Sequence, residues 1–95
     1  MKYLKVGRKK IPIVYKEDMP SNYFGMVLSE PESRIEVNAR IKGKRAVYET
    51  LFHEGIHLID GEYGIGLSEK KVRVLETTLI DLLRNNPDLV KELMK

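Results

Sequence analysis

The sequence predicts an α+β fold, a small antiparallel sheet with helices laid on one face, and two features of its patterning carry that expectation. Up to about residue 38 the apolar residues fall in short runs with strand-like alternation, and after Ile41-Lys42-Gly43 the period changes from two to 3.6. A chain of 95 residues without repeat, linker or low-complexity tract is expected to form one domain over 1–95, near the small end of what buries a core without staples.

Tyr3-Leu4-Lys5-Val6 reads as a short strand and Ile11-Pro12-Ile13-Val14-Tyr15 as a second β run. Its proline lacks an N–H, which suits an edge strand or a strand start better than a central position. Asp18-Met19-Pro20-Ser21-Asn22 is a loop by composition. Tyr23 to Leu28 and Arg34 to Asn38 flank the turn Ser29-Glu30-Pro31-Glu32-Ser33 and are expected to pair as a hairpin. Gly25 interrupts the first of them, as a bulge or a close backbone approach would require.

The next segment reads as a helix from about Lys44 to Asp60, ended by Gly61, Gly64 and Gly66. Gly55 inside it costs about 1 kcal/mol relative to alanine, a cost that close packing against the sheet would offset. Ser68 is the expected N-cap of a second helix running to about Arg84, with Val72, Leu75, Leu79, Leu82 and Leu83 on its buried face. Asn86 then caps a last short helix that has Pro87 in its first turn and spans Leu89 to Met94.

The net charge of +3 conceals an asymmetry: Lys2, Lys5, Arg8, Lys9, Lys10 and Lys16 place six cations and no anion in the first sixteen residues. Such a segment can track phosphates, but lysines on a solvated edge strand also discourage aggregation, and no nucleic-acid motif accompanies them. No specific nucleic-acid partner is expected. The absence of cysteine removes disulfides and thiolate metal ligands. The first residues lack a signal peptide's apolar run and no segment reaches transmembrane length, so a cytoplasmic protein with no membrane partner is expected. Nothing in the sequence sets an oligomeric state.

The chemistry-bearing stretch is Thr50-Leu51-Phe52-His53-Glu54-Gly55-Ile56-His57-Leu58, which contains H-E-x-x-H. On a helix, residues four apart share a face, so His53 and His57 can hold one metal ion while Glu54 flanks it. Zinc with an open position acidifies a bound water, and a neighbouring carboxylate is needed to take the proton. With only two histidines in the chain, this spacing arises by chance on the order of once in a few hundred sequences of this composition. On the helical wheel Val47, Tyr48, Leu51, Phe52, Gly55, Leu58 and Ile59 sweep one broad apolar side, whereas Ala46, Thr50, His53, His57 and Asp60 form a smaller, more polar face suited to a cleft.

The motif, the strand hairpin before it and Glu69-x-x-Val72-x-x-Leu75 after it resemble the minimal zincins, and among these the small phage- and mobile-element-encoded metallopeptidases of the ImmA/IrrE type. The resemblance covers Tyr23 to Pro87. It implies a zincin-like fold and a zinc-dependent peptidase with a protein or peptide substrate, in which two histidines and a downstream glutamate bind Zn²⁺. Asp60 and Tyr63 stand where the extended metzincin pattern needs Gly and His, which excludes that branch. Arg73 stands where the ImmA/IrrE pattern has an asparagine.

For the third ligand, Glu69 and Glu76 compete, being two helical turns apart on nearly the same side. Glu76 lies among Val72, Leu75, Leu79 and Leu83, where a carboxylate wants a partner. Glu69 follows the glycine loop directly, and Val72, Leu75 and Leu79 after it match the family's pattern behind its ligand glutamate. Glu69 is taken as the ligand and Glu76 as a hydrogen-bonded buried acid. The expected mechanism is metal-assisted peptide hydrolysis with Glu54 as general base, an oxyanion being met by the metal, Tyr63, Tyr23, an arginine or backbone N–H groups. The alternative is a non-catalytic zinc-binding protein that acts by contact with a protein or nucleic-acid partner.

Overall fold

The computed structural model describes all 95 residues. Four strands, β1 (Tyr3–Val6), β2 (Lys9–Lys16), β3 (Gly25–Leu28) and β4 (Arg34–Asn38), precede three helices, α1 (Lys44–Tyr63), α2 (Glu69–Asn85) and α3 (Pro87–Leu93). The architecture is α+β. The sheet order is β1-β2-β4-β3, with β1 and β3 antiparallel to their neighbours and β2 parallel to β4.

The sheet is therefore mixed and not antiparallel throughout. The expected hairpin forms, with Val27 opposite Ile35, but it docks onto β2 through its second strand. Burial explains the choice: Ile35 and Val37 are wholly inaccessible, and a central position covers β4 from both flanks. The four-residue β3, which opens on a glycine, has less to bury and takes the edge.

Nor is β2 an edge strand. It pairs with β1 over Lys9 to Pro12 and with β4 over Ile13 to Lys16. Pro12 sits at that handover. The Ile13 N–H donates to the Lys2 carbonyl on the β1 side (2.9 Å), so the Pro12 nitrogen, facing the other way, lies one residue before pairing with β4 begins.

Ile11, Ile13, Ile35 and Val37 project from one sheet face onto Leu51 of α1, and Leu4, Val27, Ile41, Val47 and Leu58 pack around them. Only α1 lies on the sheet; α2 packs on α1, and α3 on α2. The helices thus form successive layers where a single layer on one face was expected. The opposite sheet face, with Tyr3, Lys5, Lys10 and Val14, is open to solvent. Two of the N-terminal cations are used within the fold: Lys9 pairs with Glu62 at 2.7 Å and Lys10 lies over the Tyr3 ring at 4.4 Å.

The helix α1 runs three residues past Asp60 and takes in Gly61; Gly64, in the left-handed conformation (φ 61°), ends it. An added Cβ at Gly55 would stand 3.3 Å from Leu4 Cδ2, so the glycine lets β1 approach the helix closely. Ser68 caps α2 as expected, its hydroxyl accepting from the Lys71 N–H. Asn86 does not cap α3, because its amide turns back to donate to the Leu82 carbonyl at 2.8 Å. Of the apolar face expected for α2, only Val72 is fully buried. The seven-residue α3 is too short to cover Leu79 and Leu82, which stay more than a third exposed. No helix is long and apolar enough to cross a membrane.

Candidate metal centre

Two flanks of α1 are covered. Leu51 faces the sheet, while Ile56, about 140° further round the helix, is buried outside the sheet cluster. Tyr48 and Ile59, expected in the apolar stripe, lie at the surface. Between the flanks runs the polar strip of Thr50, His53 and His57, where the imidazole centroids stand 5.0 Å apart with planes inclined at 65°.

The chain leaves α1 at Gly64 and returns within a few residues, so that Glu69 begins α2 over these rings. Its carboxylate spans both histidines, Oε1 at 2.8 Å from His53 Nε2 and Oε2 at 2.9 Å from His57 Nε2. Glu76, two turns on, instead meets His53 from behind, with Oε1 at 2.7 Å from Nδ1. The two acids that compete in the sequence thus occupy different places. Arg73 reaches the Glu69 carboxylate (Nε to Oε1 3.5 Å), so a glutamate and not the residue at position 73 orients the histidine.

The ligand atoms of His53, His57 and Glu69 all lie within 4.8 Å of one another. Donors around a tetrahedral zinc, at about 2.0–2.1 Å each, stand roughly 3.3 Å apart, about half an ångström more than the two nitrogen–oxygen contacts of Glu69. The donor set, two imidazole nitrogens and one carboxylate oxygen, fits Zn²⁺ with a fourth position left to the cleft. Glu76 suits the same arrangement, because a carboxylate accepting from Nδ1–H leaves the Nε2 lone pair free for a metal.

Glu54 lies behind the histidines and is 5% exposed. It points toward β3 where Gly25 has no side chain: a Cβ at that position would stand 3.5 Å from Glu54 Oε2 and 2.8 Å from Thr50 Cγ2. Burial pushes the Glu54 pKa above its ordinary value, further raised by Glu69 and Glu76 and partly offset by the two histidines. For Glu69, partial burial also pushes upward, but the charges of His53 and His57 and their hydrogen bonds together hold its pKa below the ordinary value. The site therefore holds two carboxylates with opposite tendencies: one favours taking a proton, the other favours staying ionised.

A cleft of about 1060 Å³ opens over these groups, walled by Tyr23 to Val27 on one side and by Glu69, Arg73, Glu76 and Thr77 on the other. Its rim is stapled by Asn38, a buried residue whose side-chain amide donates to the Tyr23 carbonyl (2.8 Å) and whose backbone N–H donates to the Phe24 carbonyl (2.8 Å). Tyr23 lines the cleft. Tyr63 does not; the longer α1 carries it away, with its hydroxyl against Gly7 in the β1–β2 turn. The helical wheel puts Thr50 on the cleft face with the histidines, and the structure has it there; Phe24 and Asn38 were not expected at the site, and the one signal on that strand was the glycine at position 25. Compared with protein-family models, with curated proteins and with solved structures, the chain matches none.

Proposed function

We propose that this protein is a metal-dependent peptidase of the zincin kind, with His53, His57 and Glu69 as ligands and Glu54 as general base. The observation that carries the reading is a buried carboxylate, Glu54, that lines the cleft directly beside a three-donor cluster open on one side. A structural zinc site closes with four protein ligands and has no use for such a group.

Zinc bound there would supply a Lewis acid for the scissile carbonyl and acidify a water molecule. Glu54, its proton affinity raised by burial, would be the group that accepts a proton from the attacking water as its oxygen adds to the carbonyl carbon. It then gives the proton to the amine nitrogen as the C–N bond breaks, leaving one new carboxyl terminus and one new amino terminus. The strand β3 has an unpaired outer edge along the cleft, on which an extended peptide can add by backbone hydrogen bonds with little sequence selectivity.

Zinc measured by mass spectrometry should be about one per chain in the wild type and lost in His53→Ala. Glu54→Gln should retain zinc and fold while losing all cleavage of a proteome-derived peptide library. An active Glu54→Gln protein refutes the general-base role. Zinc retention with no cleavage by the wild type would replace the peptidase reading by that of a metal protein acting through contact alone.

A further inference from the structure

The metal centre depends on a short connection. Between the end of α1 at Tyr63 and the start of α2 at Glu69, the chain must reverse and set the first carboxylate of α2 against two side chains in the middle and C-terminal half of α1. One residue gathers that connection. The Asp60 carbonyl accepts from the Gly64 N–H (2.8 Å) and the Ile65 N–H (3.3 Å), and its Oδ1 accepts from the Gly66 N–H (2.6 Å) and the Leu67 N–H (3.1 Å). Four consecutive amides are thus bound to a single amino acid.

The carbonyl contacts belong to any helix ended by a left-handed glycine. The carboxylate contacts do not. A negative charge in the last turn of a helix opposes the macrodipole, and α1 carries no basic residue there to compensate. Asp60 therefore breaks a local preference, and what it gains is the path of the loop.

We propose that Asp60 is the positioning residue of the centre: its carboxylate shapes the α1–α2 connection so that α2 begins with Glu69 against Nε2 of both histidines. The proposal rests on the reading of His53, His57 and Glu69 as ligands. His53, His57, Asp60 and Glu69 then form one unit, in which two residues meet the metal from the helix, one turns the chain, and one meets the metal from the chain so turned.

Zinc affinity of the full chain, measured by competition with a chromophoric chelator, tests it. Asp60→Ala should weaken zinc binding by on the order of tenfold or more, as loss of an outer partner does at other centres. Asp60→Asn, which keeps the accepting oxygen, should stay within about threefold of wild type. On a Glu69→Ala background Asp60→Ala should add no further loss, because the residue acts through Glu69. A loss that persists on that background, or an asparagine variant as weak as the alanine one, overturns the proposal in favour of a merely structural role. Should Asp60→Ala not fold, Asp60→Leu keeps the bulk without an acceptor and carries the same comparison. If the wild type binds no zinc, the ligand reading falls separately, and nitrogen NMR of the imidazoles in the metal-free protein decides the positioning. There Asp60→Ala should shift the His53 and His57 Nε2 signals as Glu69→Ala does, and signals identical to wild type refute it.

Discussion

Gly25→Ala adds one methyl group at the contact between β3 and α1. The new carbon would stand 2.8 Å from Thr50 Cγ2 and 3.1 Å from the Glu36 carbonyl oxygen, where ordinary carbon contacts begin at about 3.5 Å. The Glu36 oxygen belongs to the backbone of β4, which is held between two strands and cannot retreat. The helix must therefore give way by about half an ångström or more, taking Thr50 and, one turn on, Glu54 with it. Overpacking of this kind costs about 1–3 kcal/mol, less a few tenths returned by the smaller backbone entropy of alanine in the unfolded chain. In a domain of this size that lowers the midpoint of thermal unfolding by roughly 5–20 °C. Calorimetry on the metal-free protein measures it, and Thr50→Ser supplies the control, since serine keeps the hydroxyl that donates to the Ala46 carbonyl and removes the offending methyl. The double variant should recover more than about 0.5 kcal/mol relative to the sum of the single changes. An unshifted midpoint, or strictly additive effects, would mean that α1 does not seat on Gly25 and that Glu54 is placed by something else.

Glu69→Ala should weaken zinc binding by orders of magnitude, whereas Glu76→Gln, which alters only the partner of His53 Nδ1, should cost about 10–100-fold; chelator competition separates the two, and equal losses would contradict their different placements. The raised pKa of Glu54 means that the native state holds a proton more tightly than the unfolded chain, so its contribution is present below the ordinary value near 4.5 and is lost as pH rises through the folded value. Metal-free Glu54→Gln should accordingly be more stable than wild type at neutral pH, with the gain vanishing near pH 4 in denaturant titrations; a gain that grows on acidification would reverse the sign. The N-terminal cations should bind nucleic acid only weakly, with association fading as salt nears physiological strength, and a salt-resistant complex at a defined sequence would refute this.

Where the controlling interactions are local, the sequence was readable. The i, i+4 spacing of the histidines, the serine cap of α2 and the alternation of β4 each depend on neighbours a few residues away, and the structure has the corresponding helices and strand in place. Alternation reveals which face of a strand is buried but not which strand lies beside it, and so the parallel pairing of β2 with β4 did not appear in the pattern. Pro12 pointed to an edge because a missing N–H needs an unpaired flank, and the fold supplies one at the handover between two partners. Tyr63 seemed near the site because it follows His57 closely, yet three further residues of helix turn it toward Gly7. Leu79 and Leu82 have core-like spacing, but spacing says nothing of how much surface a seven-residue helix can cover.

The donors come from one helical hairpin: Glu69 follows His53 by sixteen residues, while the contact that docks β1 onto the helix, Leu4 with Gly55, joins positions fifty-one apart. Closing the longer loop costs about 1 kcal/mol more chain entropy than closing the shorter. The imidazoles and the carboxylate can accordingly meet while the N-terminal strand is still free. An ion captured at that moment would clamp two helices whose mutual packing rests on little buried surface, and would hand the growing sheet a finished surface to condense upon. Metal supply during synthesis would then govern how fast the polypeptide reaches its native state, and a chelator present during refolding should slow the reaction more than it lowers the final yield.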